Sequence, residues 1–267
     1  MPLKTVTATR YVTPLREGGS LPAVMEANDG DLYVTKFIGA AQGPKALIAD
    51  LVAGEIARRL DLPVPEIVLM QFDAMLGRSE PHQEIQEMMQ KSGGLNFGLQ
   101  YLSGALAYDP LQTPPVSAEL ASRIVWFDAY VTNVDRTARN VNMLIWQDDL
   151  WLIDHGASLY FHHSWDDYLS RSETPFKLIK DHVLLPLATE IETADTLARQ
   201  KLSEAVLQEI VDLIPAEWLD GGEAFTAQSE FASHADYRQA YVAYLTHRLQ
   251  HADNFVQEAQ DAQAKHL

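Results

Sequence analysis

One stretch constrains this chain more than any other. It reads Asp135-Arg-Thr-Ala-Arg-Asn140-Val-Asn-Met-Leu-Ile-Trp146, then an acidic pair Asp148-Asp149, then Leu150-Trp-Leu-Ile-Asp154-His-Gly156. Two short apolar runs on either side of a polar turn predict a β-hairpin, with strands over 141–145 and 150–153 and the turn at Asp148-Asp149. A hairpin returns the chain to where it started. Asp154 therefore comes back beside Asn140, and any fold for this chain has to hold Asp135, Asn140 and Asp154 on one rim.

Those three residue types suit phosphoryl transfer. An aspartate accepts the proton of an attacking hydroxyl, and an asparagine with a second aspartate offers hard oxygens to Mg2+ on ATP phosphates. The expected catalytic base is Asp135, and the expected metal ligands are Asn140 and Asp154. An Asp and an Asn five positions apart carry little information alone, because turns use both to satisfy local backbone groups. The upstream chain adds the weight.

There, residues 5–12, 21–27 and 31–38 read as strands, the last two joined by the turn Asn28-Asp29-Gly30. Alternation in the third strand puts Lys36 on the face of Leu32, Val34 and Ile38. A lysine on an apolar face calls for an anionic partner, and a strand lysine of this kind grips nucleotide phosphates in kinases. The helix predicted over 44–60 carries two candidate partners. Glu55 precedes Arg58 and Arg59 at helical ion-pair spacing, whereas Asp50 shares a face with the small residues Ala53, Gly54 and Ala57, so Asp50 is the preferred partner. A strand, a short helix with a loop over 77–94 and a strand-like piece over 95–102 follow. Gly104, Pro110, Pro114 and Pro115 mark a boundary between a β-rich part, 1–102, and a helical part, 103–267. Helices are predicted over 117–130, with Ser117 as N-cap, and over 190–214, 223–231 and from 236 to near the C-terminus.

Composition narrows the class. The chain has 267 residues, a formal net charge of -17 and no cysteine. Such acidity repels nucleic-acid phosphates, so direct nucleic-acid binding is not expected. Disulfide and thiolate chemistry are excluded. No apolar run approaches the roughly 20 residues of a membrane-spanning helix, and Met1-Pro-Leu-Lys-Thr lacks the apolar core of a leader. The expectation is a cytoplasmic protein without membrane contact.

The ordered set resembles the HipA-like kinases, in particular their compact stand-alone branch. The residues that carry the resemblance are Gly30-Asp-Leu-Tyr-Val-Thr-Lys36, Leu60-Asp-Leu-Pro-Val-Pro65, Asn96-Phe-Gly98 with Tyr101-Leu102, Asn133-x-Asp135-Arg-x-x-x-Asn140, Ile153-Asp-His-Gly-Ala-Ser-Leu159 and Asp181-His-Val-Leu-Leu185. The coverage runs from about residue 17 to about residue 215. Phosphatidylinositol kinases share the same Asp-Arg and Asp-x-Gly logic.

The resemblance implies an α+β, bilobal protein-kinase-like fold, with an N-terminal β-rich lobe, a mostly helical C-terminal lobe, and ATP with Mg2+ between them. It implies Asp135 as base, Asn140 and Asp154 as Mg2+ ligands, Lys36 on the α and β phosphates, and Gln100, Tyr101 and Leu102 along adenine. Gly19 and Ser20 match the phosphate-covering loop only loosely, and Asp50 stands where a glutamate is usual. The implied reaction moves the γ-phosphoryl group to a hydroxyl, that of Ser or Thr in a protein. A small-molecule or lipid acceptor, and a nucleotide-binding module without turnover, are the alternatives. The family also suggests a protein partner of the toxin–antitoxin type.

Remaining polar residues have plainer readings. Arg136 and Arg139 flank Asp135 as either phosphate ligands or solvated loop residues. His155 is read as packing beneath the loop, and Asn142 as structural. His162 and His163, next to Asp166 and Asp167, project to opposite sides of an extended segment and do not share an ion. Tyr237, Tyr241 and Tyr244 fall at core spacing.

Overall fold

The computed structural model describes residues 3–15, 21–111, 116–220 and 231–266. In chain order the strands are β1 (Lys4–Pro14), β2 (Ala23–Ala27), β3 (Leu32–Lys36), β4 (Ile67–Phe72), β5 (Gly94–Gln100), β6 (Leu106–Ala107), β7 (Met143–Trp146) and β8 (Asp149–Leu152). The helices are α1 (Gly43–Arg59), α2 (Gln83–Gln90), α3 (Ala118–Val131), α4 (Tyr168–Ser172), α5 (Ile191–Lys201), α6 (Glu204–Val211), α7 (Ala216–Asp220), α8 (His234–Gln250) and α9 (Asp253–Gln263). A β-rich N-terminal lobe thus precedes a mostly helical C-terminal lobe, the expected bilobal kinase-like arrangement. The helix predicted over 223–231 lies almost entirely outside the described residues.

The first five strands close into a barrel in the order β1-β2-β3-β5-β4, with β1 antiparallel to β2 and parallel to β4. Alternation fills it: Val6, Met25, Tyr33, Phe37, Val68, Met70 and Phe72 face inward and are buried, with Ile85, Met88 and Met89 of α2 added to the same core. Gly98 lets β4 and β5 approach, since a Cβ there would lie 2.6 Å from the Val68 side chain. The other face of β3 carries Leu32, Val34 and Lys36 as predicted, and Ile38, in the turn just past the strand's end, packs on a second, larger core.

That larger core runs through α1. Pro44 sits in the helix's first turn, and ten residues between Leu47 and Ala57 are buried. Gly54 abuts Ile67 of β4, where a Cβ would meet the Ile67 side chain at 2.6 Å. A helix apolar on nearly all sides has to lie between two layers. α1 does so, wedged between the outer face of the barrel and the helical lobe.

In the helical lobe Ser117 accepts the amide of Leu120 and caps α3, as expected, and the helix stops at Thr132 in the left-handed conformation. The hairpin turns at Gln147-Asp148 rather than at Asp148-Asp149. Both central residues have positive φ (53° and 68°), and Trp146 faces Asp149 across the ladder. A two-residue turn of this hand matches the right-handed twist of its strands. β6, two residues inside the expected boundary loop, adds a third strand to the hairpin. The helical region expected over 190–214 breaks at Leu202-Ser203, where Ser203 caps α6. Among the described residues no helix is long and apolar enough to cross a membrane.

Candidate active site

Lys36 closes β3 on the face turned toward α1 and the hairpin. Its ammonium donates to Asp50 Oδ2 at 2.6 Å and to Asp154 Oδ1 at 2.7 Å. Burial alone pulls the lysine pKa down, but the two carboxylates outweigh it and the net shift is upward. Lys36 is therefore a fixed cation. Glu55 is paired with Arg58 at 2.9 Å, so of the two helix acids Asp50 is the partner of Lys36.

Asp50 is buried, and both its oxygens are engaged: one by Lys36, the other by the backbone amide of His155 at 2.8 Å. Burial is the largest influence on its carboxyl and pushes the pKa up to about 6 against the pull of Lys36. Asp154 is half-buried and has a left-handed backbone, φ 54°. Burial raises its pKa and Lys36 lowers it, with the lysine prevailing. Gly156 seals the arrangement. A Cβ at that position would lie 2.9 Å from Asp50 Oδ2 and 3.4 Å from Lys36 Nζ. The Asp-x-Gly pattern thus needs its glycine for space.

A buried carboxylate at the end of α3 holds the loop that carries Asp135. Asp128 Oδ2 accepts from Arg136 Nε at 2.6 Å and from His182 Nε2 at 2.9 Å, while Oδ1 accepts from Asn133 Nδ2 at 2.9 Å. Asn133 in turn accepts the amide of Asp135 at 3.1 Å. Arg136 is 1% exposed. It donates to the carbonyl of Asn142 and lies 3.2 Å from Nδ1 of His155. The possibility that Arg136 holds a phosphate is therefore corrected: its guanidinium is an internal brace between the loop, the hairpin and the Asp154 turn. Arg139 is exposed.

Asp135 is half-buried at the mouth of this scaffold. Its Oδ2 receives Asn140 Nδ2 at 2.6 Å and Asn142 Nδ2 at 3.5 Å. Asn142, read as structural, thus also reaches the Asp135 carboxylate. It sits at the base of the hairpin with a left-handed backbone, and its carbonyl accepts the amide of Ile153 at 3.1 Å. That bond sets residues 140–142 against residues 153–155, one strand end beside the other.

His155 is buried edge-on to Phe127, and burial followed by the Arg136 charge drives its pKa down to about 3, so it is a neutral packing residue. The Gln100 amide is engaged by the Glu66 carbonyl and the Tyr101 amide by that of Leu32, and Leu102 is buried beyond them. Gly19 and Ser20 lie outside the described residues. His162 is buried against the Tyr241 hydroxyl while His163 is exposed, so the two do not converge. Asp128 had one signal in the sequence, an acid inside the apolar run Ile124-Val-Trp-Phe-Asp-Ala-Tyr-Val131.

A family model described as HipA-like kinase matches residues 9–244. Among solved structures, the Helicobacter pylori proinflammatory kinase CtkA superposes with a TM-score of 0.57 at 12% identity, covering 99% of both chains. The Golgi casein kinase with Mn/ADP bound gives a TM-score of 0.49 at 11% identity, covering 99% of this chain and 75% of that one. No curated protein matches the chain. The likeness to CtkA shows the shared fold.

Proposed function

The chain belongs to the HipA-like kinase family, and we propose that it transfers the γ-phosphoryl group of ATP, with Mg2+, to a Ser or Thr hydroxyl of a protein. The observation that carries this reading is the single ammonium of Lys36 held by Asp50 and Asp154 together. In protein kinases the strand lysine, its acidic helix partner and the metal-binding aspartate must be in place at once for transfer to occur.

The donor set fits the metal. Asn140 spends its amide NH2 on Asp135, which leaves its carbonyl oxygen as a ligand, and Asp154 keeps Oδ2 beyond the oxygen given to Lys36. Carboxylate and amide oxygens are what a hard dication takes. Mg2+ would supply neutralisation of phosphate charge there. The chain's own residues do the rest. Lys36 brings fixed positive charge to the phosphates. Asp135 accepts the proton of the attacking hydroxyl, and Asn140 and Asn142 hold that carboxylate in one orientation. Gln100, Tyr101 and Leu102 border adenine. Residues 1–102 act as the nucleotide lobe and 103–267 as the catalytic lobe of one kinase domain.

Incubation with labelled ATP and Mg2+, followed by phosphoamino-acid analysis of protein acceptors, tests the reading. Asp135→Ala should keep the ATP-induced rise in melting temperature while turnover drops about 10²–10⁴-fold, the usual contribution of a general base. An Asp135→Ala protein as active as the parent would sink the mechanism. Label found only on lipid or metabolite hydroxyls would sink the acceptor.

A further inference from the structure

Far along the helical lobe from Asp135 in sequence, His247 and His251 stand one turn apart near the end of α8, and Glu173 follows directly on α4. One ligand atom from each of the three lies within 4.8 Å of the others.

Neighbouring groups fix the histidine tautomers. The Ser172 hydroxyl donates its one proton to the Leu169 carbonyl at 2.6 Å, so toward His247 Nδ1, also at 2.6 Å, it is the acceptor. His251 Nδ1 lies 2.9 Å from the His247 carbonyl, which only accepts. In the neutral rings both protons therefore sit on Nδ1, and both Nε2 atoms present lone pairs. His247 Nε2 faces Glu173 Oε1 at 3.7 Å, acceptor against acceptor. With both rings neutral, three acceptors converge.

We propose that Glu173, His247 and His251 bind a transition-metal dication of the Zn2+ class, with solvent completing the shell. The ligand types and number are those of an open zinc site, and each imidazole has its second nitrogen anchored, as metal-bound histidines do. Two histidines four residues apart on a helix face a common ion. The backbone that carries Glu173 is held in place beforehand: Arg248 donates to the carbonyls on either side of it, those of Ser172 at 2.9 Å and Thr174 at 3.1 Å, and Asn254 donates to the Glu173 carbonyl at 2.7 Å. Zinc peptidases place a glutamate base directly after the first histidine. Here that residue is Arg248, buried and committed to backbone carbonyls. The ion is accordingly a clasp: it ties the connector that follows the Asp154 turn to α8.

The test is calorimetric titration of the untagged, EDTA-stripped full chain with ZnCl2, alongside His251→Gln and Glu173→Gln. Both variants change partly exposed side chains outside the kinase site, so the fold should persist, as circular dichroism checks. One Zn2+ per chain is expected for the parent, loss of that event in His251→Gln, and weakened binding in Glu173→Gln. Titration with Co2+ should give the visible absorption of a low-coordinate N/O site in the parent and none in His251→Gln. No Zn2+ binding by the parent, or equal binding by all three proteins, overturns the proposal.

Discussion

The Arg136 guanidinium meets the Asp128 carboxylate at 2.6 Å, with neither side chain reaching solvent. Around this pair the Asp135 loop, His182, Asn142 and the Asp154 turn are all fastened. Removing one member of a buried ion pair strands the other charge in a low-dielectric interior. Asp128→Ala should therefore cost about 3–5 kcal/mol of unfolding free energy. Urea unfolding measures it, and a loss under about 1 kcal/mol, the value of an exposed pair, would show that the brace is dispensable.

Asp50 and Glu55 give a matched contrast on one helix. Asp50→Asn keeps the shape but removes the charge opposite Lys36, so KM for ATP should rise and kcat fall. Glu55→Gln loses only a pair whose Arg58 partner is 40% exposed, and stability should change by less than about 0.5 kcal/mol with kinetics unaltered. Steady-state kinetics on the two variants separates the roles. Equal kinetic effects would contradict the assignment of Asp50.

Gly156→Ala puts a methyl 2.9 Å from Asp50 Oδ2, closer than a Cβ tolerates. The buried carboxylate has no room to retreat without releasing Lys36 or the His155 amide. We expect a stability loss of about 1–3 kcal/mol, typical of overpacking, together with a drop in kcat/KM for ATP. Thermal unfolding and kinetics in parallel check both. A variant with parental values on both measures would mean that the pair shifts freely.

His155 makes stability depend on pH. Its folded pKa is depressed to about 3 from an ordinary 6.5, so between those values the unfolded chain holds a proton that the folded chain refuses, and stability falls as pH falls through that window. At pH 5 the cost is about 2 kcal/mol, at 1.36 kcal/mol per pH unit. Asp50 acts in the opposite sense. Its pKa is raised to about 6 from 3.8, so acidification across that range favours the folded form. The difference between the parent and His155→Gln isolates the histidine. Chemical denaturation at pH 7 and pH 5 should show the parent losing about 2 kcal/mol more than the variant. Parallel losses would place a protonated imidazole in the fold.

Patterns local in the chain were readable in advance. The hairpin follows from two apolar runs, the lysine's place on the face of Leu32 and Val34 from strand alternation, and the preference for Asp50 from the small residues sharing its helix face. What escaped reading depends on partners distant in sequence. Nothing near Arg136 announces its burial, because Asp128, His155 and His182 close around it only when α3, the hairpin and the 181–185 segment meet. β6 is two residues long and owes its existence to β7 rather than to its own composition. The break at Leu202-Ser203 lies inside continuous helical periodicity, and only the capping serine marks it.

α1 belongs to the interior of both lobes. Its residues from Leu47 to Ala57 share one apolar cluster with Ile67, Phe97 and Leu99 on the barrel side and with Tyr130, Leu207 and Trp218 on the helical side. The lobes are therefore not separate folding units. A chain cut after residue 102 would leave α1 with one bare flank in the first fragment and an uncovered floor in the second. Intact, the molecule should melt in one cooperative step, and the contact between Lys36 and Asp50 should last as long as the fold does.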